Sequence, residues 1–265
     1  MAEVELFSWN PNWPVCRSRV KRFVPIERPV NNFGDLLGPV IVERLRRTAS
    51  LPGEASRTKR LLSVGSILHF ARDGDVIWGS GINGKIPAAS YDFSALDVRA
   101  VRGPLTRAFL QDRGINAPEV FGDPAMLLPR VAPELLKAAE HKRHEVTIVP
   151  NMEDLRLNPF LRLLPNVLNP RSGLWRCLNR IVRSEFVVGS SLHAIIVAEA
   201  FGIQARVVES GVEQDFKYAD YYAGTGRTSY SPAPTIQEAV RAGGEPLPRL
   251  SVRPLLDAFP ADLWN

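Results

Sequence analysis

The residues best suited to acid–base chemistry stand where an apolar segment ends at Gly189 and a helix is predicted to begin. Ser190 and Ser191 follow the glycine, and His193 lies in the first turn of the predicted helix. Either serine can cap that helix, whose free N–H groups favour a bound phosphate or carboxylate. An imidazole beside such an anion is suited to act as an acid or a base. The alternative is a half-buried histidine that only bonds a neighbour.

Arg102 is the second candidate, because it follows a predicted strand over Asp97–Val101 and precedes a predicted helix that opens at Pro104. Carboxyl ends of parallel strands border binding sites, and a guanidinium there can grip a carboxylate or phosphate with two hydrogen bonds. The alternative is a surface arginine with a buried stem. Arg99 points to the opposite side of the strand, so we predict that it is structural.

Asn32, Gly34 and Asp35 form a third group. The glycine allows close approach of the backbone to another group. The aspartate can cap the helix that follows, or it can orient and deprotonate a substrate hydroxyl. Both roles stay open from the residues alone.

A glycine-rich loop, Gly79–Lys85, follows a short apolar strand candidate and contains Gly81, Asn83 and Lys85. Its spacing matches a dinucleotide fingerprint and a P-loop only weakly, since no helical pattern follows and Lys85 precedes isoleucine rather than serine or threonine. We therefore interpret it as a loop that contacts an anion or a sugar through its backbone.

Four further residues carry suitable side chains. Asp123 follows another predicted strand and either binds substrate or fixes a turn. Lys217 and Tyr221 lie in a segment that combines a cation, acids and aromatic rings, which suits an anion and a sugar; the alternative is a surface helix with a tyrosine-packed face. His69 follows a strand near the same edge and ranks below His193.

These candidates need strands and helices to position them. Short apolar runs predict strands over Arg60–Leu68, Val76–Trp78, Asp97–Val101, Glu119–Gly122, Glu145–Val149, Glu185–Val188 and Gln204–Val208. Helical spacing or end signals predict helices over Asp35–Arg47, Pro104–Asp112, Leu174–Val182 and Ala194–Phe201. Met1–Arg28 is predicted to be irregular. Strands that alternate with helices indicate an α/β protein with parallel sheets, and residues 128–143 are the best domain boundary.

Composition excludes several classes of protein. Apolar residues make up 45% and charged residues 23% of 265 residues, so a core can form without staples. The two cysteines, Cys16 and Cys177, are far apart, and no metal-ligand spacing occurs, so we expect no metal. No signal peptide or spanning segment is evident, which predicts a cytoplasmic protein. The net charge of +5 is dispersed, which argues against nucleic acid and fits anionic substrates.

Taken together, the motifs resemble the polysaccharide pyruvyl transferase family, and within it the ketal pyruvate transferases of xanthan and succinoglycan assembly. The resemblance covers about residues 31–222 and rests on motifs in a fixed order, namely Asn32-x-Gly34-Asp35, Gly65-Ser66-Ile67-Leu68-His69-Phe70, Trp78–Lys85, Val98–Pro104, Gly122-Asp123-Pro124, Ser190–His193 and Lys217–Tyr222.

The resemblance implies two Rossmann-like domains that face each other across a cleft, as in GT-B glycosyltransferases. Residues 1–132 would form the acceptor side and residues 133–265 the donor side, with a C-terminal tail that packs back on the first domain. It implies phosphoenolpyruvate as donor, a lipid-linked oligosaccharide or polysaccharide as acceptor, and no further cofactor. A basic protein that acts on a lipid-linked acceptor is also expected to contact the inner face of the plasma membrane.

By the same resemblance, His193 and Asp35 are catalytic. The expected donor-binding residues are Arg102, Ser190, Ser191, Leu192 and Lys217. The residues expected on the acceptor side or in its loops are Asn32, Gly34, Gly81, Asn83, Lys85, Asp123 and Tyr221. This chain departs from distant relatives at Ser191, where they carry arginine, so backbone N–H groups with Lys85, Lys217 or Arg102 are expected to hold the donor instead.

Two other functions compete with this interpretation. The first is a glycosyltransferase that uses a nucleotide sugar on the same two-domain plan. The second is a sugar- or nucleic-acid-binding module without catalysis, which predicts that His193→Ala leaves function largely intact.

Overall fold

The computed structural model describes residues 3–14, 26–55 and 58–265. The strands in these ranges are β1 (Val4–Phe7), β2 (Asn12–Pro14), β3 (Glu27–Pro29), β4 (Lys59–Leu62), β5 (Val76–Trp78), β6 (Asp97–Ala100), β7 (His144–Ile148), β8 (Ser184–Gly189) and β9 (Gln204–Val207). The helices are α1 (Leu37–Thr48), α2 (Pro104–Gln111), α3 (Leu128–Val131), α4 (Pro133–Ala139), α5 (Met152–Leu157), α6 (Leu174–Val182), α7 (Leu192–Ala200), α8 (Phe216–Gly224), α9 (Ile236–Ala242) and α10 (Arg253–Asp257). Among the described residues, no helix combines the length and apolar character that crossing a membrane requires.

The strands form two parallel sheets and one antiparallel pair. The first sheet has the order β1-β4-β5-β6, and the second has the order β7-β8-β9. All pairings in both sheets are parallel, whereas β2 and β3 pair antiparallel. The prediction of an α/β protein with parallel sheets is therefore confirmed.

Most predicted elements occur near their predicted bounds, and α6 matches them residue for residue. The strand predicted over Arg60–Leu68 ends already at Leu62, and the segment predicted as a strand over Glu119–Gly122 makes only an isolated bridge at Phe121. The described part of Met1–Arg28 is not irregular as predicted, since Val4–Phe7 forms an edge strand on β4. Residues 15–25, which include Cys16, lie outside the described residues.

One apolar cluster joins the two sheets. It includes Ile41 of α1 and Leu61 of β4 from the first half of the chain, and Val149 and Ile196 from the second half. A short 3₁₀ turn, Pro124–Leu127, packs against both α1 and α7. Helices from the two halves thus share buried surface, which fixes the position of one sheet relative to the other.

Residues near the end of the chain pack on the first sheet. The indole Nε1 of Trp78 donates a hydrogen bond to the carbonyl of Leu255 at 2.9 Å, and its ring meets Phe259 edge to face at 5.2 Å. Arg99 donates to both carboxylate oxygens of Asp262 at 2.9 Å. This pairing agrees with the prediction that Arg99 is structural.

Candidate active site

A cavity of about 420 Å³ lies at the carboxyl ends of strands from both sheets. Its lining residues are Trp9, Trp13, Asn32, Asp35, Ser66, Ile67, His69, Phe70, Asn83, Lys85, Ile86, Asn151, Met152, Glu153, Ser191, Leu192, His193, Glu213 and Lys217. Segments that follow β1, β4 and β5 form one side, and segments that follow β7, β8 and β9 form the other. Binding sites of parallel α/β sheets lie at these ends, because loops and helix N-termini meet there.

His193 stands on α7 with its ring between Asp123 and Gly34. Its Nε2 atom lies 3.7 Å from Oδ2 of Asp123, and neither atom has a hydrogen-bond partner among the described residues. The other oxygen of Asp123 accepts from the backbone N–H of Ala125 at 2.9 Å, which holds the buried carboxylate in place. Asp123 therefore faces the histidine from behind rather than lining the cavity.

The first turn of α7 presents unoccupied N–H groups to the cavity. Ser191 is the N-cap, one of the two serines that the sequence offered for this position, but its side chain makes no capping bond. The Ser190 hydroxyl donates instead to Asp154 at 2.5 Å. The N–H groups of Leu192 and His193 have no acceptor within residues 3–14, 26–55 and 58–265, and this leaves them available to an anion.

Asp35 lines the cavity and is half-buried. Burial raises the pKa of its carboxyl group, although the nearby His193, the hydrogen bond from Asn32 and the charge of Lys217 each lower it. The Asn32 amide donates to Asp35 at 2.6 Å. Since Leu36 is the N-cap of α1, the alternative that Asp35 caps this helix is wrong, and its carboxyl group remains directed at the site.

Two lysines share one acid at the cavity wall. Glu213 accepts from Nζ of Lys85 at 2.6 Å and from Nζ of Lys217 at 2.8 Å. Burial lowers the pKa of Lys217 while Glu213 raises it. Burial also raises the pKa of Glu213, but the two lysines bring it below its usual value. Sequence reasoning missed Glu213 although it stands four residues before Lys217.

Aromatic side chains form another part of the wall. Trp9 and Trp13 meet edge to face at 6.0 Å, and the ring of His69 packs on Phe70 at 4.0 Å. Burial lowers the pKa of His69, which favours the neutral imidazole. The two tryptophans were not among the predicted site residues, because the segment that holds them was expected to be irregular.

Arg102 does not line the cavity. Its side chain is only 1% exposed, and its guanidinium donates to Asp220 at 3.1 Å, to Ser66 at 2.6 Å and to the carbonyl of Ile82 at 3.0 Å. Gly81 packs on this group so closely that a Cβ atom there would lie 2.4 Å from the guanidinium carbon. Arg102 thus supports Ser66 in the wall, and its direct grip on a ligand stays a prediction that this geometry does not favour.

Tyr221 is likewise buried away from the cavity, and its hydroxyl donates to Glu199 at 2.6 Å. The same helix, α8, meets α2 through glycines. A Cβ atom on Gly103 would lie 1.8 Å from the carbonyl oxygen of Asp220, and one on Gly224 would lie 2.3 Å from that of Arg102. Gly103 and Gly224 therefore allow α2 of the first half and α8 of the second half to pack at very close range.

The remaining predicted residues lie as follows. Asn32, Asn83, Lys85, Ser191, Leu192 and Lys217 line the cavity with His193 and Asp35. Gly34 lies against the His193 ring, and Ser190 is buried behind the turn. Within the described ranges, no group of three or more histidine, cysteine or acidic side chains is arranged to hold a metal ion.

Comparison with known proteins identifies the family of the chain. A family model described as polysaccharide pyruvyl transferase matches residues 32–211, a range that holds Asp35, Asp123 and His193. The chain is also 30% identical over 228 residues to the succinoglycan biosynthesis protein ExoV of Rhizobium meliloti (strain 1021), an alignment that covers 80% of this chain and 68% of ExoV. The chain therefore belongs to the polysaccharide pyruvyl transferase family.

Proposed function

We propose that the protein transfers pyruvate from phosphoenolpyruvate to a terminal sugar of a lipid-linked polysaccharide repeat unit, forming a cyclic ketal and releasing phosphate. The observation that carries this proposal is a cavity that combines His193 and Asp35 with two lysines and the free N–H groups of α7. Membership of the family supports pyruvyl transfer, and the role of ExoV in succinoglycan biosynthesis supports a saccharide acceptor.

The donor's two anionic groups match hydrogen-bond donors on one wall of the cavity. Phosphoenolpyruvate carries a phosphate and a carboxylate, and each needs hydrogen-bond donors or cations. The α7 N-terminus offers N–H groups and a partial positive charge, while Lys85 and Lys217 offer ammonium N–H groups that also contact Glu213. No arginine is needed at position 191 in this arrangement, and no cofactor takes part.

The chemistry needs an acid and a base on either side of the enol carbon. Protonated His193 gives its proton to the methylene carbon C3, and charge develops at C2. A sugar hydroxyl attacks C2 and gives its proton to Asp35, whose raised pKa suits a proton acceptor. The bond from C2 to the phosphate oxygen then breaks, and a second hydroxyl of the same sugar attacks C2 and returns a proton to His193. The proton on Asp35 leaves with phosphate or solvent.

The acceptor matches the aromatic part of the wall. The faces of Trp9, Trp13 and Phe70 suit the apolar faces of sugar rings. We further propose that the two halves of the chain are Rossmann-like units facing each other across this cavity, in the manner of GT-B enzymes. The first half then holds the acceptor and the second holds the donor, in the cytoplasm beside the membrane that carries the lipid-linked sugar.

The test is acceptor-dependent release of phosphate from phosphoenolpyruvate with synthetic lipid-linked glycosides. Wild type is compared with His193→Ala and, as control, with His141→Ala, which changes an exposed histidine. Release that collapses only in His193→Ala is expected. Phosphate release that survives in that variant would support the proposed reaction but refute a catalytic role for His193. No release with any acceptor, together with no thermal stabilisation by phosphoenolpyruvate, would contradict the proposal and favour a nucleotide-sugar glycosyltransferase.

A further inference from the structure

The end of α5 and the segment that follows it expose an unusual amount of apolar side chain. Leu163 is 78% exposed, Phe160 is 76% exposed and Leu157 is 58% exposed, and Leu164 adds to the same stretch. The first three are the most exposed large apolar side chains among the described residues. We call these four residues the 157–164 patch. Apolar side chains grouped in this way usually mark a surface that contacts another molecule or a membrane.

Arginines border the patch. Exposed Arg162 lies within it and has no ion-pair partner in the part of the chain that the structure describes. Arg180 of α6 donates to the carbonyl of Pro165, directly after the patch, at 3.4 Å. Burial and the nearby Arg176 both lower the pKa of Arg180. The pKa of His144 is lowered by burial and then by three arginines, namely Arg180, Arg143 and Arg183. The charges of Arg162 and Arg180 therefore lie beside exposed apolar side chains.

Helix α5 connects the patch to the active-site cavity. Met152 and Glu153 at its start line the cavity, and Leu157 at its end belongs to the patch. Six helical residues span about 9 Å, so the patch begins roughly that far from the cavity wall. Asn151 caps the helix, and the Asp154 carboxylate accepts from the hydroxyl groups of Ser190 and Ser210. The patch is thus held at a fixed place relative to the site.

We propose that the 157–164 patch inserts into the surface layer of an anionic bilayer while the neighbouring arginines contact lipid headgroups. Phenylalanine and leucine beside arginine are the side chains that interfacial segments use for this purpose. A second copy of the chain fits less well, since a twofold contact through the same patch would bring the two arginine groups together. This proposal rests on the proposed function in one respect, namely that the acceptor sugar is attached to a membrane lipid.

Vesicle sedimentation tests the proposal without any activity measurement. The full-length protein is mixed with vesicles of phosphatidylcholine alone or of phosphatidylcholine and phosphatidylglycerol in equal parts. We expect binding to the anionic vesicles that salt weakens, and about tenfold weaker binding for the double variant Phe160→Ser with Leu163→Ser. Arg162→Glu is expected to weaken binding to the anionic vesicles and to leave any binding to pure phosphatidylcholine vesicles unchanged. Val240→Ser, which changes an exposed apolar residue on α9, is the matched control and should bind as wild type does.

A soluble glycoside acceptor separates this proposal from the proposed function. The double variant should release phosphate with a soluble acceptor at the wild-type rate and lose rate only with an acceptor embedded in vesicles. Equal vesicle binding by wild type and double variant, or no binding by wild type, would overturn the membrane role whatever the activity. A concentration-dependent dimer that the double variant abolishes would also overturn it, in favour of a second copy. Vesicle binding without pyruvyl transfer would instead support the membrane role of the patch and contradict the proposed reaction.

Discussion

Substitution of Gly34 by alanine is the sharpest test of how His193 is positioned. An ideal Cβ atom on Gly34 would lie 2.2 Å from Nδ1, 2.7 Å from Cγ and 3.0 Å from Cβ of His193. Non-bonded contacts of a real Cβ are essentially never shorter than 3.0 Å, so the ring must move by about 0.8 Å or more. Because the clash includes the root of the side chain, rotation of the ring about its own bond cannot relieve it.

The expected effect on catalysis is larger than the effect on stability. Displacement of a catalytic group by about 1 Å costs roughly a hundredfold in rate, so we expect kcat of Gly34→Ala to fall by about that factor. The backbone of Gly34 does not occupy the left-handed region, so alanine adds no backbone strain there. Overpacking of about 1–3 kcal/mol is partly offset by the lower entropy of the unfolded alanine chain.

The assay is phosphate release from phosphoenolpyruvate with a saturating acceptor, beside thermal unfolding of the same samples. Gly53→Ala is the control, because its new Cβ would meet only the tip of Arg46, at 3.9 Å. Full activity in Gly34→Ala with unchanged stability would show that the His193 ring tolerates displacement, and it would refute the argument that its position limits the reaction.

Three further predictions concern buried carboxylates. Because burial raises the pKa of Asp35, the favourable contribution of this carboxyl group to folding is present below about pH 3.8 and is lost as the pH rises through its folded-state pKa. Thermal unfolding should therefore show Asp35→Asn melting at a higher temperature than wild type at pH 7, by a margin that shrinks toward pH 4. The activity of this variant should fall. Asp123→Asn keeps the bond to the Ala125 N–H but removes the charge behind His193, so steady-state kinetics should show kcat about a hundredfold lower with little change in KM. Asp220→Ala leaves Arg102 buried without its partner, so urea unfolding should show a loss of about 3–5 kcal/mol; a raised KM at unchanged stability would instead support a direct donor grip by Arg102.

The place of His193 at the cavity followed from a general property of parallel sheets, since it comes just after a predicted strand and the carboxyl ends of such strands meet at one edge. The catalytic role of Asp35 was expected from the family resemblance alone, because no strand was predicted before it. The strand β8 and helix α7 carried clear apolar patterns, so the turn between them was predictable. The lysine at position 217 lies at the cavity for the same reason, since its helix follows β9.

Other parts of the site could not be predicted from local sequence patterns. Strand β1 has four residues, and only its pairing with β4, more than fifty residues later, makes it a strand. Trp9 and Trp13 therefore had no recognisable support in the sequence. Arg102 does follow its strand as predicted, but its side chain is buried against Asp220, which lies 118 residues away in the sequence. Nothing in the local spacing distinguishes a guanidinium that reaches solvent from one that a distant carboxylate holds inside.

The contact between Trp78 and Leu255 has a consequence for how the protein is made. The carbonyl that accepts the indole N–H belongs to a residue translated 177 positions after the tryptophan. At about 5–20 residues per second, a ribosome needs roughly ten to thirty-five seconds to supply it. During that interval the nascent first sheet lacks the aromatic cover that Phe259 provides. The first half of the chain is therefore incompletely buried until the last part emerges, and exposed apolar side chains favour aggregation during that interval.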